Sequence, residues 1–327
     1  MAAPSSRRRQ VPFLVGLVLI LAALPVGWFV FLRELPPPTP PPAPVPTVAA
    51  AEAKKAVELE LSDIEGLVEV RHGVAGAWAP ATKGMALRAT DVVRTGDGAY
   101  AVLVNGEAVE VRMASGTEVS VEELTDSLSR LLLANGMATT TVRSGQRHTF
   151  ELTTGSEVVA RTGGGTFTMT NNGKGTVSVG TRDGEVALLG NGKVVIVRAG
   201  QQSIVRPGKE PTEPAPVPGS LLLKVAWPGD KALRQHELVV TGKTDPGNRV
   251  EVEGVVVHAD NEGRFERKVV LPEGPSAVKV RAMGVGGLVG EEKRDVVVDT
   301  KPPKVRLTPE AIWKTTTKGV TTTGAPP

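Results

Sequence analysis

RTGGGTFTMTNNGKGTVSVGTRDGEVAL, residues Arg161 to Leu188, holds three consecutive glycines, a Gly-Lys-Gly cluster and alternating Val and Thr. Such a run is either a phosphate cradle or turn chemistry in a stack of short strands, and the two readings require different proteins. A phosphate loop needs G-x-x-x-x-G-K-[ST]. Gly173-Lys174-Gly175 has no hydroxyl residue after the lysine. Gly242-Lys243-Thr244 has one, but Glu237 stands where the first glycine belongs. Nucleotide binding is therefore not expected. Gly163, Gly164 and Gly165 are expected to allow positive φ and close strand approach, with Asn171-Asn172-Gly173 and Arg182-Asp183-Gly184 as hairpin turns.

Outward from this stretch, residues 58–207 keep the same character. Runs such as YAVLV, HTFEL, GTFTM and KVVIVRA are separated by Gly, Asn and Asp, which predicts an all-β domain of sandwich, barrel or solenoid type. One segment departs from this: in Glu123 to Gly136, Leu124, Leu128, Leu131 and Leu132 recur at helical spacing and Asn135-Gly136 supplies a stop, so a helix or a bulky strand and loop fits there. A Pro-rich stretch at 208–220 predicts a linker. Residues 221–307 then hold six to seven strand-like runs, the count of an immunoglobulin-like sandwich, with Gly247 and Gly263 in tight turns. The Thr-rich 308–327 segment is expected to be a flexible tail. The two β domains are expected to fold independently.

Upstream, residues 11–32, from Val11 to Leu32, carry no charge, and 22 residues at about 1.5 Å rise span roughly 33 Å, enough to cross a bilayer core. A cleaved signal peptide is disfavoured, because bulky residues and prolines follow where small ones are needed. Arg7, Arg8 and Arg9 place the 1–10 tail in the cytoplasm and the rest outside it, so the expected location is the inner membrane, single-pass, with the bulk periplasmic. The Pro/Ala-rich 33–57 stretch reads as a stand-off linker. Arg33 and those three arginines, against Glu34, account for the whole formal net charge of +3. The body is thus neutral overall, and nucleic acid is not an expected partner.

The chain has no cysteine and four dispersed histidines, His72, His148, His236 and His258. No metal site, no cofactor and no catalytic residues are predicted. Glu122-Glu123 and Glu291-Glu292 read as solvated charges. Asp260-Asn261-Glu262-Gly263 lacks the later glutamate of a calcium loop and reads as a hairpin turn. Seven rings lie beyond the span, and most are expected to plug cores; exposure of Trp78 or Trp313 would instead offer a stacking platform.

The order VEVRHGVAGAW, DVVRTGDGAYAVLVNGEAVEVRMASGTEV, TGGGTFTM, GTVSVGTRDGEVAL and AGQQSIV, from about Glu69 to Val205, resembles the FecR domain. That resemblance implies a periplasmic, β-solenoid-like domain that contacts protein partners in transmembrane signalling. The ten residues before the span are too few for an anti-sigma segment, so sigma-factor regulation would need a separate cytoplasmic partner. LVVTGKTDPGNRVEVEG and ADNEGRFERKVVLPEG resemble bacterial Ig-like modules. The expected function is a non-enzymatic, membrane-anchored binding or scaffolding protein that contacts an envelope protein. The alternative from another class is attachment to peptidoglycan or a polysaccharide.

Overall fold

The computed structural model describes residues 58–145, 148–229 and 232–302. The expected span Val11 to Leu32, the segments around it and the 308–327 tail lie outside these residues. Among the described residues no helix is long and apolar enough to cross a membrane; the secondary structure described is all β.

The first body contains β1 (Leu59–Glu65), β2 (Val68–Arg71), β3 (Trp78–Pro80), β4 (Ala86–Leu87), β5 (Val92–Thr95), β6 (Tyr100–Asn105), β7 (Val109–Met113) and β8 (Glu118–Leu124). It continues with β9 (Leu128–Val142), β10 (Thr149–Thr153), β11 (Val159–Thr162), β12 (Gly165–Asn171), β13 (Val177–Gly190), β14 (Lys193–Arg198), β15 (Gln201–Val205) and β16 (Ala215–Pro216). Two long strands organise it. Through Leu128–Asn135, β9 pairs with β8 and β10, and through Gly136–Val142 it pairs with β7 and β12. In the same way β13 pairs with β12 and β15 through its first half and with β11 and β14 through its second. Each strand turns a corner from one layer into the other, as strands do when one core is wrapped by two layers. Phe150 on β10 and Phe167 on β12, both fully buried with centroids 6.1 Å apart, plug the space between.

The corners resolve one open alternative and explain two departures from the sequence expectations. Of the two readings offered for Glu123–Gly136 the strand and loop holds: β8 ends at Leu124, β9 begins at Leu128, burial alternates from Ser129 to Leu133 with period two, and Gly136 is the β9 corner rather than a helix stop. Arg182-Asp183-Gly184 lies inside β13 at its corner and is no hairpin turn. Parallel solenoid coils are not seen: of the ladders in this body only β9–β10 is parallel, and the rest form antiparallel meanders and crossovers.

The second body has two sheets over one core: β17 (Leu223–Ala226), β18 (Glu237–Thr244) and β21 (Arg264–Val270) in one, and β19 (Arg249–Val252), β20 (Val255–Val257), β22 (Gly274–Met283) and β23 (Val289–Val298) in the other. Val240 and Phe265 of the first sheet meet Val250, Val280 and Val298 of the second in that core.

The two bodies touch through side-chain hydrogen bonds. The 208–220 linker is laid along β15: the Ile204 N–H donates to Thr212 Oγ1 (3.0 Å), and Gln202 pairs with Ala215. Thr170 Oγ1 donates to the Gly247 carbonyl (2.6 Å), Asn172 Nδ2 to the Ala259 carbonyl (3.2 Å), and Thr176 Oγ1 to Asn261 Oδ1 (2.8 Å). At Gly247 the backbone sits against Ser178 so closely that a Cβ would collide with its hydroxyl. The composition of the linker predicted a spacer; its hydrogen bonds lay it along β15 of the first body.

Candidate interaction surfaces

Two of the three opening glycines sit in close backbone contact. Gly165 has φ +121°, and a Cβ there would run into the Asp183 carbonyl at the β13 corner. Gly164 packs against Ser144. Gly163 has open space around it and no positive φ, so the role expected of it is absent. Gly173 and Gly263 lie in turns with φ +70° and +81°, and Gly184 sits at the corner with φ +74°. In the β12–β13 hairpin, Asn172 Oδ1 accepts the Lys174 and Thr176 N–H groups (2.9 and 3.0 Å). Those donors are spent inside the loop rather than presented to an anion.

Chemistry-bearing groups come together in three places. Ser129 Oγ lies 3.0 Å from His148 Nε2, and His148 Nδ1 lies 3.2 Å from the Asp126 carbonyl. This pairing escaped the sequence because it joins β9 to the start of β10 with no motif. Ser129 is fully buried and also accepts a hydrogen bond from Asn105, so the pair fastens two strands and no substrate reaches it. Asp91 ties a loop: Arg88 N–H, Gly73 N–H and His72 bond its carboxylate. Burial alone would raise its pKa, but these bonds outweigh it and hold the group below the ordinary range. Trp78 is half-buried, with the Arg94 and Arg71 guanidinium carbons 4.0 and 5.1 Å from its ring centroid. Those cations occupy the surface a sugar would stack on. Among the described residues no three His, Asp or Glu side chains converge as metal ligands, and Asp260 instead closes its turn by accepting the Glu262 and Arg264 N–H groups.

The outer face of the sheet that runs β9–β10–β11–β13–β14 changes character along its rows. One row reads Arg130, Glu151, Arg161, Ala187, Ile196; the next reads Leu132, Thr153, Val159, Leu189, Val194. At the charged end, Glu151, its side chain only 5% exposed, accepts from Arg130 Nε (2.7 Å) and Arg161 Nε (2.6 Å). Burial would raise the Glu151 pKa, but the two guanidinium bonds overcome it and lower it. A carboxylate whose folded pKa is depressed contributes stability that is present above its unfolded pKa and lost as pH falls through the folded one. Glu151→Gln should therefore cost about 2 kcal/mol at neutral pH. The variant's chemical-denaturation midpoint should also fall less steeply than the wild type's on acidification below the ordinary glutamate range. Parallel pH profiles would refute this assignment.

At the other end the face is apolar and open. Leu189, Val194 and Ile196 are exposed, Val194 by 56%, and β14 pairs only with β13 among the described strands. Elsewhere, exposed edge strands carry charge: β23 holds Glu291, Lys293 and Asp295. The centre of β14, Val194 to Val197, carries none.

An all-β body with an uncovered edge strand is what these features define. Residues 91–187 match the family described as FecR protein, as the sequence resemblance led us to expect. No curated protein matches the chain. Among solved structures, a candidate anti-sigma factor from Parabacteroides distasonis aligns at 17% identity and TM-score 0.34 over 38% of this chain; the aligned part spans 59% of that chain. The fibronectin(III)-like modules of CbhA from Clostridium thermocellum align at 16% identity and TM-score 0.21, over 55% of this chain and 94% of that one.

Proposed function

We propose that this chain is a non-enzymatic binding or scaffolding protein of the FecR-domain type, anchored in the inner membrane by residues 11–32, whose periplasmic body contacts an envelope protein in transmembrane signalling. The observation that carries the reading is the apolar face and free edge of β14 (Lys193–Arg198), just beyond the FecR match that ends at residue 187. Edge strands with apolar side chains and one hydrogen-bonded neighbour are templates for a further strand. The partner that fits is an extended protein segment with apolar residues at alternate positions and an acid opposite Arg198. Lys193, at the other end, is already held by Glu210 and Glu213, whereas Arg198 has no carboxylate partner among the described residues.

A photo-crosslinking residue at Val194 or Ile196, activated in intact cells, should capture one discrete envelope protein. The same residue at Val239, equally exposed on the second body, should not. Absence of a product at β14, or equal capture from Val239, overturns the reading.

A further inference from the structure

The second body carries a cationic row that its own fold neutralises at one end only. Register places Lys224 of β17 directly opposite Lys243 of β18, and Lys243 directly opposite Arg264 of β21. Like charges directly opposite each other destabilise a sheet, and here two such pairs stand side by side. Elsewhere in this body the fold relieves the same conflict: Lys279 faces Lys293, but its Nζ is 2.9 Å from Glu291. Arg264 is likewise tied to Asp260 and Glu262 at 2.8 and 2.9 Å. Among the described residues no carboxylate lies within ion-pair distance of Lys224 or Lys243, and both are exposed.

The two lysines line an open cleft, and the first body supplies a third cation at its lip. Lys174 rides on the β12–β13 hairpin, which is fixed to the second body by the bonds of Asn172 and Thr176 to Ala259 and Asn261; its Nζ also donates to the His258 carbonyl (3.3 Å). The cleft's one other carboxylate, Glu266, stands in the next row, opposite Thr241. Among the described residues no Trp or Tyr lines the cleft and Phe265 is only 4% exposed, so it offers no broad hydrocarbon ring for a neutral sugar to stack on. Charge is the means of recognition. Adjacent strands lie about 4.8 Å apart, so the row offers cations at short, regular backbone intervals, as a linear polyanion with regularly repeated charges requires.

We propose that this cleft is a binding site for an acidic polysaccharide, a linear glycan whose carboxylate or phosphate groups pair with Lys224, Lys243 and Lys174. It lies on a different body from the β14 edge and does not depend on the protein-partner reading. The test uses the detergent-solubilised full-length chain with polygalacturonate, a phosphorylated mannan, neutral dextran and anionic-lipid vesicles as probes, at about 50 and about 150 mM salt, between which the Debye length falls from roughly 14 to roughly 8 Å. Wild type should bind one or both acidic glycans and not dextran. Lys224→Gln with Lys243→Gln should weaken that binding at least tenfold and flatten its salt dependence, while its melting temperature equals or exceeds that of wild type because the repulsion is gone. Lys279→Gln with Lys293→Gln, which removes the same charge elsewhere, should retain binding. Equal loss in both double variants reduces the site to net charge and overturns the proposal. So does binding to dextran, or binding only to vesicles containing an anionic lipid. A lower melting temperature for Lys224→Gln with Lys243→Gln would overturn the claim of unrelieved repulsion.

Discussion

Gly165→Val is expected to lose about 4 kcal/mol or more of folding stability, much of what a domain of this size possesses. Two independent causes add. At φ +121° the backbone lies where side chains rarely go, and a β-branched one costs about 1–3 kcal/mol there. The new Cβ would also drive into the Asp183 carbonyl and come 3.0 Å from the Gly184 Cα. Neither neighbour is a flexible side chain that could swing aside. Both belong to the corner where β13 leaves one layer for the other, so relief requires moving a strand that has β11, β12, β14 and β15 hydrogen-bonded to it. Gly163→Ala, two residues away in open space, should fall within about 0.5 kcal/mol of wild type. Denaturant midpoints of the two variants check this directly, and a Gly165→Val protein within about 1 kcal/mol of wild type would remove the corner role.

That pair of glycines also marks how far the sequence could be read. Alternation and turn residues made the all-β class legible, and Asn171-Asn172-Gly173 was legible as the β12–β13 turn. The corners were not legible. A strand that passes between layers changes partners midway, so β9 blurs its period of two near Asn135, and Leu124, Leu128, Leu131 and Leu132 imitate a helix. Arg182-Asp183-Gly184 has the composition of a hairpin turn; only the partners on either side, β12 before it and β11 after it, make it a bend within one strand. Surface sites depend on register even more. Lys224 and Lys243 are far apart in sequence and unremarkable singly, and only the β17–β18 pairing sets them face to face. The apolar face of β14 is KVVIVR in the sequence, indistinguishable from a core strand until its missing neighbour is known.

The interface between the bodies gives the second large effect. Arg249 is buried, its Nη2 2.6 Å from Glu251 and donating to the Ser115 carbonyl (2.9 Å) and hydroxyl, while Ser115 Oγ donates to Glu251 (3.1 Å). The side chain thus ties β19 of the second body to the β7–β8 turn of the first. Arg249→Ala leaves Glu251 a desolvated, unpaired charge and strips the Ser115 carbonyl of its donor. Breaking a buried pair by removing one partner costs about 3–5 kcal/mol; with Glu251 partly exposed, about 3 is expected here. Much of that loss falls on the contact between the bodies, so one thermal transition should separate into two, and proteases should cut faster in the 208–220 linker, which wild type holds in backbone pairing with β15. Replacing both partners, Arg249→Met with Glu251→Leu, removes the stranded charge and should restore most of the stability. A single unchanged transition and an unchanged rate of linker cleavage in Arg249→Ala would show that the bodies hold together without this arginine, and the docking would then rest on the Thr170, Asn172 and Thr176 bonds alone.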